Sequence, residues 1–243
     1  MDLESFNTSR ESLVPLLALN NKSNKNIIIF PTDKEAIEFS TDFSNLNKNI
    51  FHLPSWDTLS YDSFVPSFDI QGKRLEIAHL LLTNNNYNIA TSIKAISQRI
   101  YFEELEICKI ELNEEIDFDS LIENLIHLKY QRKDRVESKG SFAIRGGQLD
   151  VYPINYDLPL RVIFDGDLVN EIKTFDTISQ RSVSEKKDIL IVPATELFQI
   201  KHSDILNLSS DKKENLDDYE LFQYSQNLDL SLIHISEPTR HNS

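Results

Sequence analysis

The stretch KYQRKDRVESKGSFAIR, Lys129 to Arg145, gathers six basic residues against two acidic ones in a chain whose formal charge is -14. Within it Arg132, Arg135 and Arg145 carry planar guanidinium forks, the geometry that pairs bidentately with carboxylates. On alternating strands such cations can line one face and meet an acidic protein partner; a solvated strand face is the plainer alternative. Nucleic acid ranks third, because single-strand platforms interleave cations with stacking aromatics and only Tyr130 and Phe142 are at hand. Lys plus Arg number 25 against 39 Asp plus Glu. Wrapping round duplex DNA needs clustered cations, so any polyanion contact must be local.

Other chemistries find less support. The glycines are Gly72, Gly140, Gly146, Gly147 and Gly166. The Gly72-Lys73 pair is followed by Arg74 with no glycine upstream, so a Walker A loop, whose backbone N–H groups cradle phosphates, is missing. Cys108 is the single cysteine, which forbids an intrachain disulfide and a multi-cysteine zinc site and fits a reducing compartment. It falls in an apolar strand pattern, where burial would keep the thiol protonated. His52, His79, His127 and His202 lack a second ligand at metal spacing. The segment His52 to Ile70 combines the one Trp with Tyr61, Phe64, Phe68, Asp57, Asp62 and Asp69. It reads as a ligand groove or, more plainly, as a long connection pinned by Trp56 and Tyr61.

These residues need elements to position them. Helical spacing from Arg10 to Leu19 is followed by a β-branched strand, Asn26 to Phe30, and by a helix that Thr32 caps with Glu35 as its capping-box partner. NIFHLP returns as a strand. A helix over Ile70 to Leu82, a strand over Tyr87 to Thr91, a short helix near Ile93 to Gln98 and a strand over Leu105 to Leu112 continue the alternation. That pattern implies an α/β fold with a mainly parallel sheet. After a helix over Phe118 to Leu128 come short strands: YQRKDRV, SFAIR, QLDVYP, LPLRVIF and LVNEIKTF. Gly146-Gly147 predicts a tight hairpin or bulge, and Asp165-Gly166 a type I′ turn. Ser203 to Leu228 is acidic, the composition of a linker or mobile helix.

LPSWDTLSYDSFVPSFDIQGKRLEIAHLL, SFAIRGGQLDVYP, LPLRVIFDGDLVNEIKTFDTISQRSVSE and VPATE together resemble the N-terminal region of the bacterial transcription-repair coupling factors, the Mfd family, over roughly Ile27 to Phe198. That region is similar to the excision-repair protein UvrB. The resemblance implies a degenerate UvrB-like, motor-like parallel-sheet domain over residues 1–116 and a small inserted β-rich α+β domain that binds UvrA over 117–194. A return segment and acidic linker would cover 195–229. The family's UvrA-contacting arginines match Arg132, two after Tyr130, and Arg145, in the RG turn, with Arg135 in the same patch. The family often has Gly and an acid where this chain has Lys129 and Gln131.

The implied function is recruitment of UvrA in transcription-coupled nucleotide excision repair. An N-terminal fragment of a UvrB-like ATP-dependent helicase subunit is the alternative. No cofactor is expected in this chain; ATP and Mg would belong to a C-terminal motor that displaces stalled RNA polymerase and moves on DNA. Apolar runs such as LVPLLAL fall far short of the ~20 residues that cross a bilayer. MDLESFNTSRES lacks an export pattern, so the cytoplasm is expected. Leu230 to Arg240, LSLIHISEPTR, reads as the translation of a sequencing-library transposon end, so 230–243 is treated as a scar and the chain as a truncated fragment.

Overall fold

The computed structural model describes residues 25–45, 50–58, 65–84, 86–98 and 105–196. The expected helix at Arg10–Leu19, Tyr61, Asp62, Phe64, the acidic segment 203–229 and the terminal 230–243 lie outside them. The chain divides into two units, one holding Met1–Ser55 with His79–Gln98 and the other Trp56–Ala78 with Arg99–Ser243.

In the first unit, β1 (Lys25–Phe30), β2 (Phe51–Leu53) and β3 (Tyr87–Ser92) form a parallel sheet in the order β1-β3-β2. Helix α1 (Asp33–Ser44) follows β1 directly. Thr32 caps it as expected: its hydroxyl accepts from the Glu35 N–H at 3.3 Å, and the Glu35 carboxylate accepts from the Thr32 N–H at 3.2 Å. Phe39 and Phe43 stand four apart on one face of α1. They close over Phe30 and Ala90, with Phe30 and Phe39 ring centroids 4.9 Å apart. Helix α2 (Phe68–Thr83) straddles the division of the two units, and α3 (Ile93–Ser97) is capped by Ser92, whose hydroxyl accepts from the Ala95 N–H at 3.0 Å.

Strand β4 (Cys108–Glu111) does not extend the parallel sheet, as the alternation of elements predicts; it pairs antiparallel with β11 (Asp188–Ile191). Its pattern of buried Cys108 and Ile110 against exposed Lys109 and Glu111 is the reason. Strands of a covered parallel sheet are apolar on both faces, whereas this one has a wet side.

The second unit is built on helix α4 (Phe118–His127) and a six-stranded sheet: β5 (Gln131–Arg132), β6 (Ser141–Arg145), β7 (Gln148–Tyr152), β8 (Leu160–Asp165), β9 (Leu168–Phe175) and β10 (Ser182–Glu185). The strand order is β10-β9-β8-β7-β6-β5, antiparallel throughout except for β5 beside β6. One face carries Phe142, Leu149, Val151, Leu160, Val162 and Ile172, which with Leu121 and Leu125 of α4 make the main core. The fold is therefore mixed α/β with several sheets.

The strand expected over YQRKDRV shrinks to Gln131–Arg132. Beyond it the charged run Lys133-Asp134-Arg135 has no apolar residue to bury, and the chain leaves the sheet as a loop. Val136 alone dips back, against Ala143 and Phe175 on the open face.

Both glycine turns close hairpins. Gly146-Gly147 lies between the paired Arg145 and Gln148, and Gly166-Asp167 between Asp165 and Leu168. In each, positive φ falls on the first loop residue only, 60° at Gly146 and 62° at Gly166. That is the type II′ pattern, so the expected type I′ turn at Asp165-Gly166 is corrected: Asp165 ends its strand and Gly166 opens the loop.

Candidate docking surface

Arg132 is positioned from two sides. Helix α4 ends in a reversal in which the Tyr130 N–H reaches Leu125 O and the Lys129 N–H reaches Ile126 O, both at 3.0 Å, with Lys129 at φ 69°. This is a Schellman closure, and it demands the left-handed conformation that glycine adopts without strain. Lys129 takes that conformation at a cost of about 1 kcal/mol relative to glycine. Tyr130 is then buried in the main core and its hydroxyl donates to Val192 O at 2.8 Å. Arg132, two residues on, sits exposed at the sheet edge and makes no hydrogen bond or ion pair to any described residue.

Arg145 ends β6, exposed, and its guanidinium donates to Asp134 O at 3.2 Å. Arg135, in the loop, donates to Thr177 O at 2.9 Å and approaches Glu137 at 3.9 Å. Carbonyl partners leave a guanidinium's charge uncompensated and most of its five donors free. The exposed Arg135–Glu137 pair, at that distance, neutralises little. Arg132 pairs in register with Phe142, so its Cβ lies on the core side of the sheet, whereas Arg145, three residues past Phe142, points to the open face. Arg135 and Arg145 thus share the open face and its loop, and Arg132 stands at the edge strand rather than directly beside Arg145.

Lys139, also in the basic run, is spent internally. It donates to Asp69 at 2.6 Å and to Ile154 O at 3.1 Å. The second glycine of the hairpin has a packing role: a Cβ on Gly147 would lie 2.9 Å from Phe164 O, and the Phe164 N–H bonds Gly147 O at 2.8 Å.

The sequence pattern missed two arginines. Arg161 lies on the open face, its guanidinium donating to both carboxylate oxygens of Asp150 at 2.7 and 2.9 Å and stacking 4.4 Å above the Phe175 ring. The signal was available: Asp150 interrupts Leu149 and Val151 just as Arg161 interrupts Leu160 and Val162, and the register sets them opposite. Arg74 is fully buried in α2, where its Nε sits 2.7 Å from Glu196, and Trp56 donates to the same carboxylate at 2.8 Å. Trp56, one of the two anchors expected for the long connection, is thus fixed to Glu196, while Tyr61, the other, lies outside the described residues. Gly72 is a contact glycine, since a Cβ there would collide with Ile154 O.

Burial pushes the Cys108 thiol up to about 11, with the Glu114 charge adding to it. Among the described residues no cluster of His, Cys, Asp and Glu could hold a metal ion, and no helix is long and apolar enough to cross a membrane.

The six-stranded sheet thus carries an arginine at its hairpin, Arg145, and another at its edge, Arg132. Residues 108–197 match the UvrB interaction domain. The chain is 29% identical to the transcription-repair-coupling factor of Escherichia coli K12 over 174 residues, covering 70% of this chain and 15% of that protein. It is 31% identical to that of Myxococcus xanthus over 159 residues, 64% of this chain and 13% of the relative. UvrABC system protein B of Thermosipho africanus is 24% identical over 190 residues, 71% of this chain and 28% of that protein. The similarity to the coupling factors, and through the interaction domain to UvrB, therefore holds over most of this chain, which spans only about a seventh of the coupling factors' length.

Proposed function

We propose that this chain is a non-catalytic recruitment module for nucleotide excision repair that docks UvrA through Arg132, Arg135 and Arg145. The observation that carries the reading is the state of these cations. All three are exposed within the region that matches the UvrB interaction domain; Arg132 has no partner among the described residues, Arg145 leans on a neutral carbonyl, and Arg135 on a carbonyl with Glu137 at 3.9 Å. The hairpin and the buried Tyr130 fix the backbone at Arg145 and Arg132 before the partner arrives, so little backbone ordering entropy is lost on docking. Their charge would speed encounter and set register.

The finer domain reading belongs to the same proposal: a degenerate motor-like domain over 1–116, the docking domain over 117–194, a return segment and linker over 195–229, and a scar over 230–243. In a motor domain the phosphates would sit at the start of the helix following β1. Here Pro31-Thr32-Asp33 supplies no glycine cradle, Glu35 caps the Thr32 N–H, and the Asp33 carboxylate accepts from the Ser55 N–H at 3.3 Å and from the Ser55 hydroxyl. Those residues do not fit a nucleotide's phosphates, because two carboxylates already occupy the helix's positive end. ATP and Mg, contacts to RNA polymerase and DNA, and translocation would reside in other domains of a longer cytoplasmic protein. The UvrB-like ATP-dependent alternative predicts saturable micromolar ATP binding by residues 1–229.

Titration of purified UvrA against wild type and Arg132→Glu/Arg145→Glu tests the docking reading. About a hundredfold weaker binding at low salt, with a flatter salt dependence, is expected. Equal affinities would refute the site.

A further inference from the structure

Beside Arg135 the open face carries an apolar side chain that the docking cations do not explain. Ile178 is 87% exposed, at the tip of the turn joining β9 to β10. Isolated apolar residues on a surface are ordinary. This one is held unusually firmly. The Asp176 carboxylate accepts from the Ser179 N–H and hydroxyl, each at 2.7 Å, and the Asp176 N–H reaches back to Arg181 O at 3.0 Å. Gln180, at φ 59°, donates through its amide side chain to Thr177 O at 2.7 Å.

Two guanidinium groups clamp the turn from either side of Ile178. Arg135 donates to Thr177 O, and Arg161, itself fixed by Asp150 and Phe175, reaches Gln180 O at 3.4 Å. Val183, 60% exposed, follows at the bulge that starts β10. The turn therefore presents a hydrogen-bonded apolar knob with the exposed guanidinium of Arg135, paired only loosely with Glu137 at 3.9 Å, at its foot. Energetic anchors of interfaces have this form: an apolar group ordered in advance, ringed by polar contacts.

We propose that Ile178 is the apolar anchor of the docking surface, seated in a recess of a protein partner whose rim carries carboxylates for Arg135. The inference rests on the docking reading above and names the nonpolar half of that interface. Charge complementarity selects the partner's chemistry, since under an apolar socket with a neutral or basic rim Arg135 would be desolvated with only Glu137, 3.9 Å away and largely exposed, as counter-charge.

The test uses the full 243-residue chain and purified UvrA as the probe, measuring affinity across a salt series for wild type, Ile178→Ser, Ile178→Leu and Arg132→Glu/Arg145→Glu. Ile178→Ser should weaken binding about tenfold at every salt concentration, a shift of about 1.4 kcal/mol, while Ile178→Leu binds as wild type. Affinity of Ile178→Ser within twofold of wild type overturns the anchor and leaves the docking reading standing. A loss that vanishes at high salt also overturns it, because an apolar contact is not screened. Absence of saturable binding by wild type overturns both.

Discussion

Changing Glu196 to Gln removes the counter-charge of a fully buried arginine while keeping the side chain's shape. Arg74 is 0% exposed and Glu196 3%; the Arg74 Nε lies 2.7 and 3.0 Å from the two carboxylate oxygens, and the guanidinium stacks 4.9 Å from the Trp56 ring. Breaking a buried pair from one side costs about 3–5 kcal/mol, since the orphaned charge keeps its full desolvation penalty. At roughly 2–4 °C per kcal/mol for a domain of this size, the midpoint should fall by about 6–20 °C. Trp56 is the chain's one tryptophan and lies inside the cluster, so its fluorescence follows this unit's unfolding without assuming that both units melt together. The companion Arg74→Met/Glu196→Leu should recover part of the loss, because packed apolar groups can replace a buried pair at little net cost, offset by the Trp56 N–H that loses its carboxylate acceptor. The reasoning fails if Glu196→Gln costs less than about 1 kcal/mol, or if the double substitution is no more stable than the single one.

Two further outcomes follow from single groups. Cys108 is 4% exposed with its thiol raised to about 11, so alkylation of the native protein at mild pH should proceed only as fast as the strand opens, and denaturant should accelerate it sharply. Equal rates with and without denaturant would contradict its burial. At Asp33 burial pulls the carboxyl upward, but hydrogen bonds from Ser55 and Ser92 outweigh it and hold it below its ordinary value. A depressed carboxylate contributes stability that is fully present above the unfolded value, near 3.9, and is lost as pH falls through the lower folded value. Asp33→Asn should therefore raise amide exchange at Ser55 at neutral pH and converge with wild type once acid has protonated the carboxyl; a gap that persists in that fully protonated range would count against the assignment.

Much of the scaffold was legible along the chain. The Thr32–Glu35 capping box, the β-branched run into β1 and the alternation in β6 to β9 are local signals, and each element formed within a few residues of its expected bounds. The basic run was equally plain, as was the need for glycine at the β6–β7 hairpin. Local patterns failed where partners decide. The half-wet alternation of β4 could be read beforehand, but its pairing with β11, some eighty residues away, could not.

Composition and short-range spacing thus marked out one basic run, with three arginines and a glycine turn, in an otherwise acidic chain. Tertiary structure decided what became of each charge. It bonded Lys139 to Asp69, matched Arg161 to Asp150 across β7 and β8, buried Arg74 against Glu196, and left Arg132 at an edge without a partner among the described residues. It also carried Ile178, unremarkable in sequence, to an exposed tip beside Arg135. A side chain's charge is intrinsic to its type, but whether that charge is compensated depends on which distant residues the register and packing bring within a few ångströms.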